Sequence, residues 1–100
     1  MDRVLRQTWG TGVVTTWQRH GEVLWRRSGS RRLLRCPGTD ELLVIEGGGS
    51  TAWDLLGEPV EEGELFALLS GAFGVDRAQV DAEIGPFLEQ LRSVGAVIRT

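Results

Sequence analysis

A chain of 100 residues, 41 % hydrophobic and 25 % charged, supports one small domain and not two, and at about 60–65 % of surface buried on folding it has little room for a deep catalytic cleft. No apolar run reaches the roughly 18 residues of a membrane span, no apolar stretch follows the early arginines as a signal peptide would require, and the single cysteine, Cys36, rules out an internal disulfide and a cysteine-based zinc knuckle; the chain reads as soluble and cytoplasmic. The net charge of -3 divides unevenly: residues 1–35 hold eight arginines against Asp2 and Glu22, whereas residues 36–100 hold three against twelve acids, and there is no lysine.

Residues 1–21 read as an N-terminal extension, with an additional strand predicted at residues 12–17 around Val13 and Val14. Residues 22–100 form the domain proper. From Glu22 to Glu46 the chain falls into three short β-branched and aromatic runs, residues 22–27, 31–36 and 42–46, separated by Ser28-Gly29-Ser30 and Pro37-Gly38-Thr39-Asp40. Such punctuation predicts a three-stranded antiparallel meander. Beyond Gly47-Gly48-Gly49 the apolar period changes from 2 to about 3.6. Thr51 and Asp54 have capping-box spacing, which predicts a short helix from Thr51 or Ala52 to Leu56, stopped by Gly57. A second helix follows Pro59, with Glu61, Glu62 and Glu64 in its first turn, a stripe of Leu65, Leu68, Leu69 and Phe73, and a stop at Gly74. The third begins at Asp76 as N-cap and carries Val80, Ile84, Phe87, Leu88, Leu91 and Val94 on one face. Pro86 cannot donate to the carbonyl of Ala82, so a kink or break is expected there. Gly95 ends this helix, and residues 96–98 are extended. The fold class is therefore α+β, a three-stranded antiparallel meander followed by three helices, winged-helix-like.

Little of this carries catalytic chemistry. His20 sits beside Gly21 in a turn with no serine or cysteine motif near it. Cys36 reads as a small buried hydrophobe. Residues 47–51 lead from a strand into a helix as a phosphate-binding loop would, but the lysine of a P-loop is absent, and a turn needing positive φ explains the glycines. The acids at 58, 61, 62 and 64 lack metal-ligand spacing. Neither metal nor cofactor is expected. Arginine and tryptophan interleave in residues 1–35, which suits cation–π pairing within the domain, although coding bias in a GC-rich genome gives the same preference. A winged-helix regulator of nucleic acid is one functional reading, through the Arg-rich hairpin at 26, 27, 31, 32 and 35. Its third helix argues against it, because Asp76, Asp81, Glu83 and Glu89 outnumber Arg77 and Arg92 where a DNA reader needs cations. A small structural partner subunit is a further reading.

The segments Leu33-Leu-Arg-Cys-Pro-Gly38, Leu43-Val-Ile-Glu46, Ser50-Thr-Ala-Trp-Asp-Leu-Leu56, Glu64-Leu-Phe-Ala-Leu-Leu69, Gly74-Val75, and Val80 to Gly95 with Phe87-Leu88, Leu91 and Gly95-Ala-Val97 together resemble the PqqD family. That family is named for pyrroloquinoline quinone biosynthesis protein D and supplies the RiPP recognition element of ribosomal-peptide modification systems. The resemblance spans about residues 23–98. Gly63 and Pro86 interrupt the family's helical spacing, and residues 1–20 lie outside it.

The resemblance implies a non-catalytic adaptor that holds the leader region of a precursor peptide and presents it to a modifying enzyme. It implies that the leader adds as a strand to Leu42, Leu43, Val44, Ile45 and Glu46 and lies against the third helix at Val80, Asp81, Glu83, Ile84, Phe87, Leu88 and Leu91. The partners expected are that peptide and that enzyme, with no membrane and no nucleic acid, and the chain is expected to be a monomer. Strand physics agrees: an unpaired edge offers a row of N–H and C=O groups to another chain. Alternation puts Leu43 and Ile45 toward the helices, leaving Leu42 and Val44 for the N-terminal segment or a partner to cover. At 100° per residue, Asp81 and Arg92 border one side of the third helix's core face and Glu83 and Gln90 the other. Either flank can rim the groove.

Overall fold

The computed structural model describes residues 14–100. Its elements in chain order are β1 (Thr16–Arg19), β2 (Leu24–Ser28), β3 (Arg31–Arg35), β4 (Leu42–Ile45), α1 (Gly48–Leu55), β5 (Val60–Glu61), α2 (Glu62–Phe73), α3 (Arg77–Ser93) and β6 (Val97–Arg99). The class is α+β, with the strand-rich part preceding three helices. Two three-stranded sheets form, one ordered β2-β3-β4 and the other β5-β1-β6, each antiparallel throughout.

The meander follows the turn chemistry. Ser28 faces Arg31 across a two-residue loop in which Gly29 has φ 63°, the left-handed backbone that a tight hairpin asks of its first loop residue. The second connection is held from outside: the Gly38 N–H donates to the Val94 carbonyl at 2.9 Å. A Cβ on Gly38 would stand 2.6 Å from that backbone, so only glycine lets the turn lie against the end of α3. The strand expected at residues 12–17 lies partly outside the described residues. Its described part is displaced to β1, which pairs with β6 in register Trp17↔Arg99, Gln18↔Ile98 and Arg19↔Val97. Trp17 drops into the core, and its indole N–H donates to Glu62 at 3.0 Å.

Three helix expectations need correction. α1 starts at Gly48, three residues before Thr51, with Gly47 as N-cap at φ 60° and no side-chain cap. The Thr51–Asp54 capping box does not form, because Asp54 is taken by Arg32, which donates to it at 2.9 and 2.7 Å. α2 starts at Glu62, so Glu61, expected in its first turn, belongs to β5; its buried stripe is Leu65, Phe66 and Leu69, while Leu68 and Phe73 are about half exposed. The helix is rolled so that Phe66 enters the core, with the Arg77 guanidinium 5.6 Å from its ring. Finally, of the kink or break expected at Pro86 the break does not occur, since α3 runs from Arg77 to Ser93. One ladder bond is lost there, and the burial of Val80 before the proline and of Leu88 and Leu91 after it holds the two halves in one helix.

The ends of α3 are as expected. Asp76 accepts from the Gln79 N–H at 2.8 Å, satisfying one of the free amides of the first turn. At the other end Gly95 turns left-handed at φ 77°, and the Ala96 N–H returns to the Leu91 carbonyl at 2.8 Å, the bond of a Schellman stop. The core is one cluster in which Trp17, Leu34, Trp53, Leu56, Leu65, Leu69 and Leu88 are wholly enclosed.

Candidate functional site

β4 pairs with β3 in the register Arg32↔Ile45, Leu33↔Val44, Leu34↔Leu43 and Arg35↔Leu42, and among the described residues no strand lies on its other side. Which of its groups face outward follows from the hairpin. Ser28 and Arg31 close a two-residue loop, so they exchange both main-chain bonds, and pairing alternates from there. Leu33 and Arg35 therefore bond toward β2, and Arg32 and Leu34 toward Ile45 and Leu43. The N–H and C=O of Leu42 and Val44 are left pointing to the open edge.

Beside that edge runs a groove of about 270 Å³ lined by Leu43, Val44 and Ile45 of β4 and by Phe87, Gln90, Leu91, Ser93 and Val94 at the end of α3. Phe87, Leu91 and Val94 recur at helical spacing and make an apolar floor; Gln90 and Ser93 make a neutral rim. No charged side chain lines it. Phe87 is set by α1: a Cβ on Gly49 would come 2.8 Å from the Phe87 ring and 2.9 Å from Ile45. Gly49, in the first turn of α1, thus lets that turn touch both walls of the groove.

The sequence-predicted residues divide into groups. Leu43, Val44, Ile45, Phe87 and Leu91 meet at the groove. Leu42 stands beside it on the outer face of the sheet, half exposed. Glu46 also points to the outside, accepting from Arg31 at 2.8 Å. Val80, Glu83 and Ile84 border a neighbouring depression of about 250 Å³, one turn further toward the start of α3, together with Gly48, Leu69, Phe73, Val75 and Gln79. Asp81 is exposed and lines neither. Leu88 is completely enclosed and has no surface to offer a ligand. The open flank is the one bearing Glu83 and Gln90; Arg92, on the other, pairs with Glu89 at 2.8 Å. Ser93 and Val94 were not among the predicted residues, although Val94 continues the spacing of Phe87 and Leu91.

Two polar clusters fix the meander on α1. The Arg19 guanidinium lies 4.6 Å from the Trp25 ring centre and 4.7 Å from that of Trp53, two rings set edge to face at 5.8 Å. It also donates from Nε and Nη2 to the Trp53 carbonyl at 3.2 and 2.7 Å. On β3, Arg32 is buried and forks onto both oxygens of Asp54. Those bonds hold the Asp54 carboxyl below the usual carboxylate range and raise Arg32. The expected pairing of arginine with tryptophan is thus present, and Arg32 of the Arg-rich hairpin is an internal tie.

Residues with nucleophilic or ligating chemistry are placed elsewhere. Cys36 is buried, and desolvation pushes its thiol up. The His20 Nδ1 accepts from the Glu22 N–H at 3.0 Å in its turn. Among the described residues no three His, Cys, Asp or Glu side chains gather as metal ligands would, and no helix is long and apolar enough to cross a membrane.

These features define a small α+β domain whose open strand edge borders an apolar helix groove. The family model for coenzyme PQQ synthesis protein D (PqqD) matches residues 36–97, from just after β3 to the first residue of β6, and the chain belongs to the PqqD family. Membership associates it with PQQ and ribosomal-peptide biosynthesis, in a family of accessory proteins that partner the pathway's enzymes and are not themselves catalysts. Comparison with curated proteins and with solved structures found no match.

Proposed function

We propose that this domain holds the leader region of a ribosomally made precursor peptide by strand addition to β4 and presents the peptide to a separate modifying enzyme. The observation that carries the reading is the juxtaposition of the open β4 edge with the uncharged groove of α3. A strand added beside β4 lies about 4.8 Å away and receives main-chain bonds from Leu42 and Val44. Its successive side chains point alternately outward and inward. The inward ones enter the space between Leu43, Ile45, Phe87, Leu91 and Val94.

Three residues of β4, Leu43 to Ile45, line the groove, so it accepts two side chains spaced i and i+2. Apolar residues there gain about 1.5–3 kcal/mol each on full burial, more than the roughly 0.5–1.5 kcal/mol net of a main-chain bond. Selectivity therefore comes from the two inward side chains, and the backbone supplies register. The absence of charge in the lining favours aliphatic or aromatic residues at both positions, since a charged one would be desolvated without a partner.

Amide NMR of the labelled chain during titration with the precursor's leader peptide tests this reading. The expected shifts fall in residues 42–46 and in residues 87–94. Silence in both regions, with peptide in large excess, contradicts it.

A further inference from the structure

The β2-β3-β4 sheet has a second surface, opposite the helices. The register places Leu24, Arg35 and Leu42 in one row across it and Arg26, Leu33 and Val44 in the next. Leu24 is 71 % exposed, Leu42 52 % and Val44 50 %, which is high for aliphatic side chains gathered in adjoining positions. Leu24 and Leu42 border a shallow depression of about 370 Å³, together with Trp25, Arg26, Leu33 and Arg35. Arg26 and Arg35 form no ion pair among the described residues, whereas Arg27 and Arg32 reach Asp54 and Arg31 reaches Glu46.

We propose that this face docks an acidic amphipathic helix of a protein partner. Three strands about 4.8 Å apart make a face about 10 Å wide, the diameter of a single helix. An apolar stripe on that helix covers Leu24, Leu33, Leu42 and Val44, and carboxylates flanking the stripe meet the two arginines, each of which offers a fork suited to them. A face exposes side chains and not main-chain groups, so it has no use for an added strand. Nucleic acid fits poorly: phosphates would satisfy two arginines and leave four aliphatic side chains against a polar backbone. The proposal is independent of the peptide reading, because β4 gives its side chains Leu42 and Val44 to this face and its main chain to the edge.

The test uses the full chain with labelled Leu and Val methyls and a synthetic helical peptide of about 15 residues, Leu on one stripe and Glu on both flanks. The expected result is movement of the Leu24, Leu33, Leu42 and Val44 methyls, affinity that falls as salt is raised, and at least about tenfold weaker binding by R26E/R35E, with circular dichroism confirming that the variant is folded. The same peptide with Lys for Glu is expected to leave these methyls unmoved. Any of the following would overturn the proposal: no response to the acidic peptide, equal binding of the basic one, a stronger response to a DNA duplex, concentration-dependent shifts that report self-association through these methyls, or contacts in the free chain between them and residues 1–13.

Discussion

Gly49 and Phe87 approach so closely that a methyl group on the glycine would stand 2.8 Å from the ring. This contact joins the first turn of α1 to the floor of the groove. Gly49→Ala forces the ring or Ile45 aside, at an overpacking cost of about 1–3 kcal/mol against a helix-propensity gain of at most about 1 kcal/mol. The variant is expected to be less stable in urea melts, with the Phe87 ring resonances displaced and leader affinity reduced.

Arg32 and Asp54 tie β3 to α1, and Arg31 and Glu46 form a pair in solvent. Arg32→Ala is therefore expected to lower Tm clearly more than Arg31→Ala. The tie also sets a pH dependence. The Asp54 carboxyl is held below its usual value by its bonds from Arg32, so the stability it contributes is present above about pH 4 and is lost as pH falls through the depressed value. Acid titrations of thermal stability should show a smaller decline in Arg32→Ala than in the parent.

Leu88 and Phe87 are neighbours in α3 with different duties. Leu88→Ala empties a fully enclosed site and is expected to cost about 2–5 kcal/mol. Phe87→Ala, at a partly buried position lining the groove, is expected to cost less stability and more leader affinity. Denaturant melts and titrations on the same two variants check this split.

Proline substitution separates the two sides of β4. The Val44 N–H faces the open edge and that of Leu43 faces β3, so Val44→Pro should keep a folded circular dichroism spectrum while losing leader binding, and Leu43→Pro should disrupt the sheet itself. A folded Val44→Pro with undiminished affinity would remove strand addition from the account.

The features legible in the sequence were those with local causes. Gly29 and Pro37-Gly38 marked the two turns, Asp76 and Gly95 bounded α3, and alternation along 42–46 set Leu43 and Ile45 inward. The errors had tertiary causes. Asp54 looked like a helix cap because its true partner, Arg32, lies 22 residues away in the chain. The run Leu65-Phe-Ala-Leu-Leu69 has apolar residues on adjoining faces, and only packing decides that Phe66 enters and Leu68 remains outside. Pro86 signalled a kink or a break, and core contacts on both sides prevent the break. The choice between the two flanks of α3 depended on where β4 lies, which no periodicity within the helix records. β1 joins β5 and β6 through contacts distant in sequence, so of the second sheet only the segments near β1 and β6 were legible as extended, and Glu61 of β5 read as the start of the second helix.

The most direct measurement is hydrogen exchange at a single amide. In the free chain the Val44 N–H, bonded to no strand among the described residues, is expected to exchange rapidly while that of Leu43 is protected. Saturating leader peptide should slow exchange at Val44 by an order of magnitude or more. Peptide bound at saturation with the Val44 amide still exchanging at its free rate would contradict strand addition at β4.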